Sequence, residues 1–388
     1  VEDTKDVGIG EVLANGTAGP DYDGPKTGEA YYGFFDNEYD YSKDETYKVA
    51  YVAGATNVLY EAFSQAFELW AKRYNCEYSF ITCNGDSDLM LNTIQTLAGE
   101  GVKGFFVDPD SQVLPRVSEV CQELVGDAWM SCMVGPFDDS GKINHPFVGF
   151  NDKELGRQEA EYVVNYAKET WEDFSPENAL LVNCNFSISS NLNLRMEGAK
   201  EYWEETYPEY KDRFVDLDLI SGHMVEQDAY DNFSTLISQR SDVKYWLVTA
   251  TFDAYAQGCA RVAEEYGVAD NTVITAIGGT ALINEWDSGL ESCWKSAIFS
   301  AQTLYAEPIF GAMYYMMRGW CTAQELWPDY VNENTNGYGQ LYLASFCIEK
   351  DNYQDYLEWV DWHSGFDYYK YTPYDEATGT KYDLVLKY

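Results

Sequence analysis

"INHPFVGFNDKELGRQEAEYVVNYAKE", residues 143–169, is the stretch on which the fold turns. The apolar run Phe147-Val148-Gly149-Phe150 reads as a short buried strand. Asn151, with Glu154 three residues further on, has the form of a capping box that opens a helix. The apolar face of that helix runs through Leu155, Ala160, Val163, Val164 and Ala167. Gly156 stands near its start, where it costs about 1 kcal/mol relative to Ala, so the pattern predicts another element packed closely against this turn.

Working outward, strands and helices alternate on both sides. Before the quoted stretch, YKVAYVAGA (47–55), CEYSFITCN (76–84), VKGFFVDPD (102–110) and AWMSCMVGP (128–136) read as strands, with helical patterns at 57–74, 87–101 and 111–126. After residue 170 the alternation restarts, with strands NALLVNCNF (178–186), FVDLDLIS (214–221), KYWLVTATF (244–252) and NTVITAIGG (271–279). Repeated βα units imply parallel sheets covered by helices on both faces. Two sheets of about four to six strands are expected rather than one large one, since 388 residues suffice for two cores. The quoted stretch sits at their junction, PFVGFND as the crossing strand and its helix as the first cover of the second lobe.

Composition narrows the partners. Lys plus Arg number 25 against 65 for Asp plus Glu, a formal charge of −40, so the field of the protein repels phosphate backbones and anionic head groups. Nucleic acid is excluded as a partner, and so is direct electrostatic binding to a membrane. The 46% hydrophobic and 16% aromatic content argues against global disorder. No run approaches the roughly 18 apolar residues of a membrane span, and residues 1–20 carry neither a basic n-region nor an apolar h-region. The chain starts at Val1 rather than Met, as it would if a signal or tether had been removed. Nine cysteines are scattered without a C-x-x-C pair, so no metal site or cofactor is expected and the cysteines read as small buried hydrophobes. Residues 1–46, rich in Gly, Asp, Glu and Tyr, read as a flexible acidic tail outside either core. Within it DNEYDYSKDE (36–45) lacks the central Gly and closing Glu of a calcium loop.

Five segments, "GVKGFFVDPDSQVLPRVSEVCQE", "PFVGFNDKELGRQEAEYVVNYA", "NLNLRMEGAKEYWEE", "TATFDAYAQGCARVAEEYG" and "SFCIEKDNYQDYLEWV", fall in an order and spacing that resembles the type I periplasmic sugar-binding proteins, the solute receptors of ABC importers. The likeness covers roughly residues 47–360. It implies an α/β fold of two doubly wound parallel-sheet lobes joined by three crossover segments, with a solute captured in the cleft by hinge closure. The lobes would comprise 47–149 plus about 280–338, and 150–279 plus about 339–388, the latter ending in a Tyr-rich extension. The resemblance further implies a monomer outside the cytoplasm, periplasmic or tethered as a lipoprotein, that hands its solute to a permease. A sensory receptor of the same fold, presenting its closed form to a membrane kinase or chemoreceptor, is the alternative.

Ligands of open α/β sheets lie beyond the carboxyl ends of the strands, and sugars need carboxylates, amides, guanidinium groups and flat aromatic faces there. The residues of that kind are Asn57 and Tyr60 after the first strand, and Asp108 in an Asp-Pro pair where the family usually has Asn. In "NLRMEG", Arg195 matches the family's ligand-binding Arg, and Asn191 lies one helical turn earlier. Asp253 matches a ligand-binding Asp, although Asp also reads as an ordinary helix cap. Asp228 matches a polar ligand position, and Gln302 resembles a family Gln near the second crossover. Gly135-Pro136 and Gly278-Gly279 stand where the family carries polar groups, leaving one wall less charged, with Phe137, Phe150, Phe186 and Phe252 as core or stacking residues. Histidines occur at three unrelated points, and no G-x-S-x-G, Walker A or G-x-G-x-x-G follows a strand, so no enzyme activity is expected.

Overall fold

The computed structural model describes residues 34–35, 39–55, 58–138, 140–301, 303–333, 335–343 and 345–364. In chain order they form β1 (Lys48–Ala53), α1 (Val58–Arg73), β2 (Glu77–Thr82), α2 (Ser87–Gly99), β3 (Val102–Asp108), α3 (Leu114–Val125), β4 (Trp129–Ser131) and β5 (Phe147–Gly149). Then come α4 (Asp152–Thr170), β6 (Ala179–Asn185), α5 (Ser190–Thr206), β7 (Phe214–Asp218), α6 (Glu226–Gln239), β8 (Tyr245–Ala250), α7 (Asp253–Glu265), β9 (Thr272–Gly278), α8 (Thr280–Asp287) and β10 (Trp294–Phe299). The series closes with α9 (Thr303–Met317), β11 (Gln340–Tyr342), β12 (Phe346–Glu349) and α10 (Tyr353–Ser364).

The chain divides into two compact units. The first gathers the described residues of Val1–Gly149, Gln302–Leu343 and Glu358–Lys381, the second those of Phe150–Ala301 and Ala344–Leu357. Two expected boundaries move. β10 pairs in parallel with β9 and so completes the sheet of the second unit, where the sequence suggested that the chain had left that lobe near 280. β11 pairs with β5 in the first unit, which carries that unit on to Leu343.

In the first unit the sheet runs β2-β1-β3-β4, all parallel. Its inner strands read as unbroken apolar runs because helices cover both faces. All of β1 after Lys48 is buried, as is β3 apart from Lys103.

An aromatic layer packs on this unit and is closed by residues the sequence assigned to a free tail. Phe34 and Tyr41 are buried. The backbone N–H groups of Phe34 and Phe35 donate to Glu307 Oε1 at 2.8 and 2.9 Å, and the Tyr74 hydroxyl donates to the same atom at 2.8 Å. Burial raises the Glu307 carboxyl to about 7. Phe35 stacks on Tyr41 at 5.0 Å, and Asp44 pairs with Arg318 at 3.1 Å. A Cβ at Gly311 would lie 2.7 Å from that of Phe34, so α9 needs glycine here to admit the segment. The tail expectation is therefore corrected at residues 34–35 and 39–46, while residues 1–33 and 36–38 and the Tyr-rich end beyond Ser364 lie outside the described residues. A chain beginning at Tyr47 would leave Glu307 buried without two of its donors. Its melting temperature is expected several degrees below that of the full chain by circular dichroism, and an unchanged value would show that this packing contributes no net stability.

The second unit's sheet runs β12-β10-β9-β8-β6-β7, parallel except for β12, which pairs antiparallel with β10. Ala160, Val163, Val164 and Ala167 of α4 and Ala199 and Trp203 of α5 share one buried cluster with Leu181, Leu247 and Val273. Two residues along from that apolar row, every strand contributes a polar residue to one register. Asp216, Asn183, Thr249, Thr275, Ser296 and Glu349 lie side by side across β7, β6, β8, β9, β10 and β12. Asn183 donates to Thr249 at 2.8 Å and Ser296 to Thr275 at 2.9 Å, so the row is partly paired within itself.

The glycine near the start of α4 has the expected cause. A Cβ on Gly156 would fall 1.8 Å from the carbonyl oxygen of Arg195, and one on Gly198 would fall 1.8 Å from that of Lys153. The two helices cross backbone against backbone through reciprocal glycines. As predicted, Asn151 caps α4 by accepting from the Glu154 N–H at 3.3 Å. Gly156→Ala is expected to destabilise the protein by about 2 kcal/mol or more in urea unfolding, against a gain of about 1 kcal/mol where helix propensity alone acts. An alanine variant at least as stable as the parent would refute the contact.

Candidate functional site

Asp108, the last residue of β3, is 1% exposed. Its Oδ2 accepts from the Tyr51 hydroxyl at 2.7 Å and its Oδ1 from the Met133 N–H at 2.6 Å, while its backbone oxygen takes the Gly54 N–H at 2.7 Å. Burial lifts its carboxyl to about 6. Asp108 thus ties β1, β3 and the loop after β4 together. Tyr60, half-buried on α1, has its hydroxyl pushed up by burial and then by the charges of Asp108 and Asp110. Asn57 and Gln302 lie outside the described residues.

In the second unit the candidates gather at the carboxyl ends of β6 and β8. Arg195, in the second turn of α5, donates from Nε to Asp152 Oδ1 and from Nη1 to the Thr251 carbonyl oxygen, both at 2.7 Å. Its side chain is 14% exposed and that of Asp152 19%. Burial raises the Asp152 carboxyl, and the Arg195 guanidinium opposes that rise. The turn from β8 into α7 is gripped from further sides as well. Glu159, fully buried on α4, accepts the Ala250 N–H at 3.2 Å, and Thr251 donates both its N–H and its hydroxyl to the Cys184 carbonyl oxygen. Burial drives Glu159 well above the usual carboxylate range.

Asp253 opens α7 but spends both oxygens on the next strand's turn. It accepts from the Gly279 N–H at 2.7 Å and the Ala281 N–H at 2.8 Å, capping α8, and burial raises its carboxyl to about 6. The Gly278-Gly279 departure has its reason here, since a Cβ on Gly278 would lie 2.7 Å from Asp253 Oδ1 and Gly279 adopts φ 104°. Asp228 likewise holds its own loop, taking the N–H groups of His223 at 2.7 Å and Val225 at 3.0 Å. Three carboxylates singled out by sequence, Asp108, Asp228 and Asp253, therefore saturate backbone or tyrosine donors within their own unit.

The amides differ. Asn191 accepts from the Ser189 hydroxyl at 2.6 Å. Sequence reasoning passed over its neighbours Asn185 and Asn193, which form a chain at the same rim. Asn185 donates to Asn193 at 3.2 Å and Asn193 to Glu197 at 2.9 Å. Polar residues ending an otherwise apolar strand, as in LLVNCNF, were the available signal. Phe186 and Phe252 are half-buried there, whereas Phe150 is buried. Among the described residues no group of three or more His, Cys, Asp or Glu is placed to hold a metal ion, and no helix is long and apolar enough to cross a membrane.

Because Arg195 joins α4, α5 and β8, Arg195→Ala is expected to lower stability in the absence of any solute by about 1–3 kcal/mol. A residue that served the solute alone would leave unliganded stability unchanged. Urea unfolding decides between these outcomes, and an unchanged midpoint would mean that the ion pair contributes nothing net.

A family model described as a periplasmic binding protein domain matches residues 49–287. Solved structures share the fold over most of the chain. One is an ABC transporter periplasmic solute-binding protein from Actinobacillus succinogenes with bound D-allose, 13% identical, TM-score 0.60, covering 80% of this chain and 100% of its own. A periplasmic ribose ABC transporter protein from Conexibacter woesei is 15% identical, TM-score 0.62, with 82% and 97% covered. A solute-binding protein from Bacillus halodurans with bound myo-inositol is 14% identical, TM-score 0.57, with 81% and 98% covered. No curated protein matches the chain in sequence.

Proposed function

From the membership of this chain in the periplasmic binding protein family, we propose that it is the extracytoplasmic solute-binding component of an ABC importer and that its solute is a sugar or similar small polyhydroxylated molecule. The observation that carries the solute class is Arg195. Its guanidinium is fixed from two sides by Asp152 and Thr251 at the carboxyl ends of β6 and β8, where Asn185, Asn191, Phe186 and Phe252 also lie. A planar, preorganised fork that leaves further N–H groups suits a ring oxygen and an adjacent hydroxyl, and a half-buried aromatic suits the C–H face of the same ring. That solved structures of this fold hold D-allose and myo-inositol supports the same class. The protein would act as a single copy, deliver its solute to a permease and be held at the membrane by an anchor.

Isothermal titration against D-allose, D-ribose, D-galactose, L-arabinose, myo-inositol and nucleosides tests this. At least one is expected to bind at micromolar concentration or below, and silence across the panel at millimolar concentration would sink the carbohydrate reading. Each charge-assisted bond to the solute is worth about 1.5–3 kcal/mol, so Arg195→Ala should weaken binding at least tenfold and Arg195→Lys should restore it only in part. Undiminished affinity in the alanine variant would make Arg195 a purely structural brace.

A further inference from the structure

Two cysteines of the second unit have no part in the solute-binding reading. Cys184 is the last residue but one of β6, and by strand alternation it faces away from Asn183 and Asn185. Cys259 stands midway along α7. Folding brings their sulfur atoms to 3.4 Å, with both residues fully buried. Against about 2.05 Å in a disulfide, the remaining gap is the scale of small rotations about the two Cα–Cβ bonds.

We propose that Cys184 and Cys259 are joined by a disulfide in the exported protein, closing 75 residues of chain and clamping β6 to α7. A disulfide suits a protein that works outside the cytoplasm, where such bonds form and persist. Its position is also mechanically apt. The Cys184 carbonyl oxygen already accepts both donors of Thr251, the residue that leads into α7, so the bond would lock from the side-chain direction a turn that the backbone holds from the other.

The oxidant is a disulfide donor. One cysteine thiolate attacks a sulfur of an external disulfide and releases one external thiol. The second cysteine, deprotonated, then attacks the mixed disulfide, forms the protein S–S bond and releases the other external thiol. Two protein thiols lose two electrons and two protons overall, and one external disulfide becomes two thiols. Burial pushes the Cys259 thiol well above its usual range, which disfavours thiolate in the folded protein, so the bond closes while the chain is folding.

The test uses the full chain refolded in a buffer of oxidised and reduced glutathione, then unfolded and alkylated without reductant. Peptide mapping is expected to return one linked pair, Cys184 with Cys259, and seven alkylated cysteines. Reductant should lower the melting temperature of this oxidised protein by several degrees and leave that of the Cys184→Ser, Cys259→Ser double variant unchanged. Nine alkylated cysteines would overturn the proposal. So would a linkage of Cys259 to Cys293, the neighbour whose charge also bears on it.

Discussion

The contact on which the second unit depends is the crossing of α4 and α5 through Gly156 and Gly198. Each glycine admits a carbonyl oxygen of the other helix at a distance that any side chain would forbid. The consequence is electrostatic as much as steric. With the backbones this close, Asp152 in the first turn of α4 lies within reach of Arg195 on α5, and Arg195 can extend to the Thr251 carbonyl at the end of β8. Had either glycine been larger, the helices would stand further apart and the guanidinium would lose one of its two supports. The candidate site is thus rigid because two residues with no chemistry of their own set the spacing.

The same economy governs the acidic residues. In a chain of charge −40 most carboxylates repel one another, and those that are buried need donors. Asp108, Asp253 and Glu307 obtain them from backbone N–H groups and tyrosine hydroxyls, and each draws together segments distant in sequence. Burial raises all three, so their negative charge is held against desolvation by hydrogen bonds rather than by cations. Asp152 with Arg195 and Asp44 with Arg318 differ, each a partly buried carboxylate held by a guanidinium.

Glu307 shows how far this principle reaches beyond the sheets. One of its two oxygens, Oε1, collects Phe34, Phe35 and Tyr74, and the aromatic rings around it seal the layer over α1 and α9. An isolated reading of residues 34–46 finds acids and aromatics without periodicity. What holds Phe34 and Phe35 is an acceptor some 270 residues away.

By itself the sequence determined the α/β alternation, the two sheets and the junction at 143–169. These follow from local regularities, namely apolar runs, caps such as Asn151 and a glycine misplaced for a helix. It also singled out Arg195 and Asn191 as candidates, through residue type and helical spacing. Tertiary structure alone decided which donors Asp108, Asp228 and Asp253 engage. A carboxylate beyond a strand reads the same whether it will meet a solute or a backbone N–H, and the answer depends on where other segments bring their donors. Met133 lies 25 residues from Asp108 and Gly279 lies 26 from Asp253. The antiparallel β12 beside β10 and the contact of Cys184 with Cys259 were hidden for the same reason, because pairing across dozens of residues leaves no periodic trace in the chain.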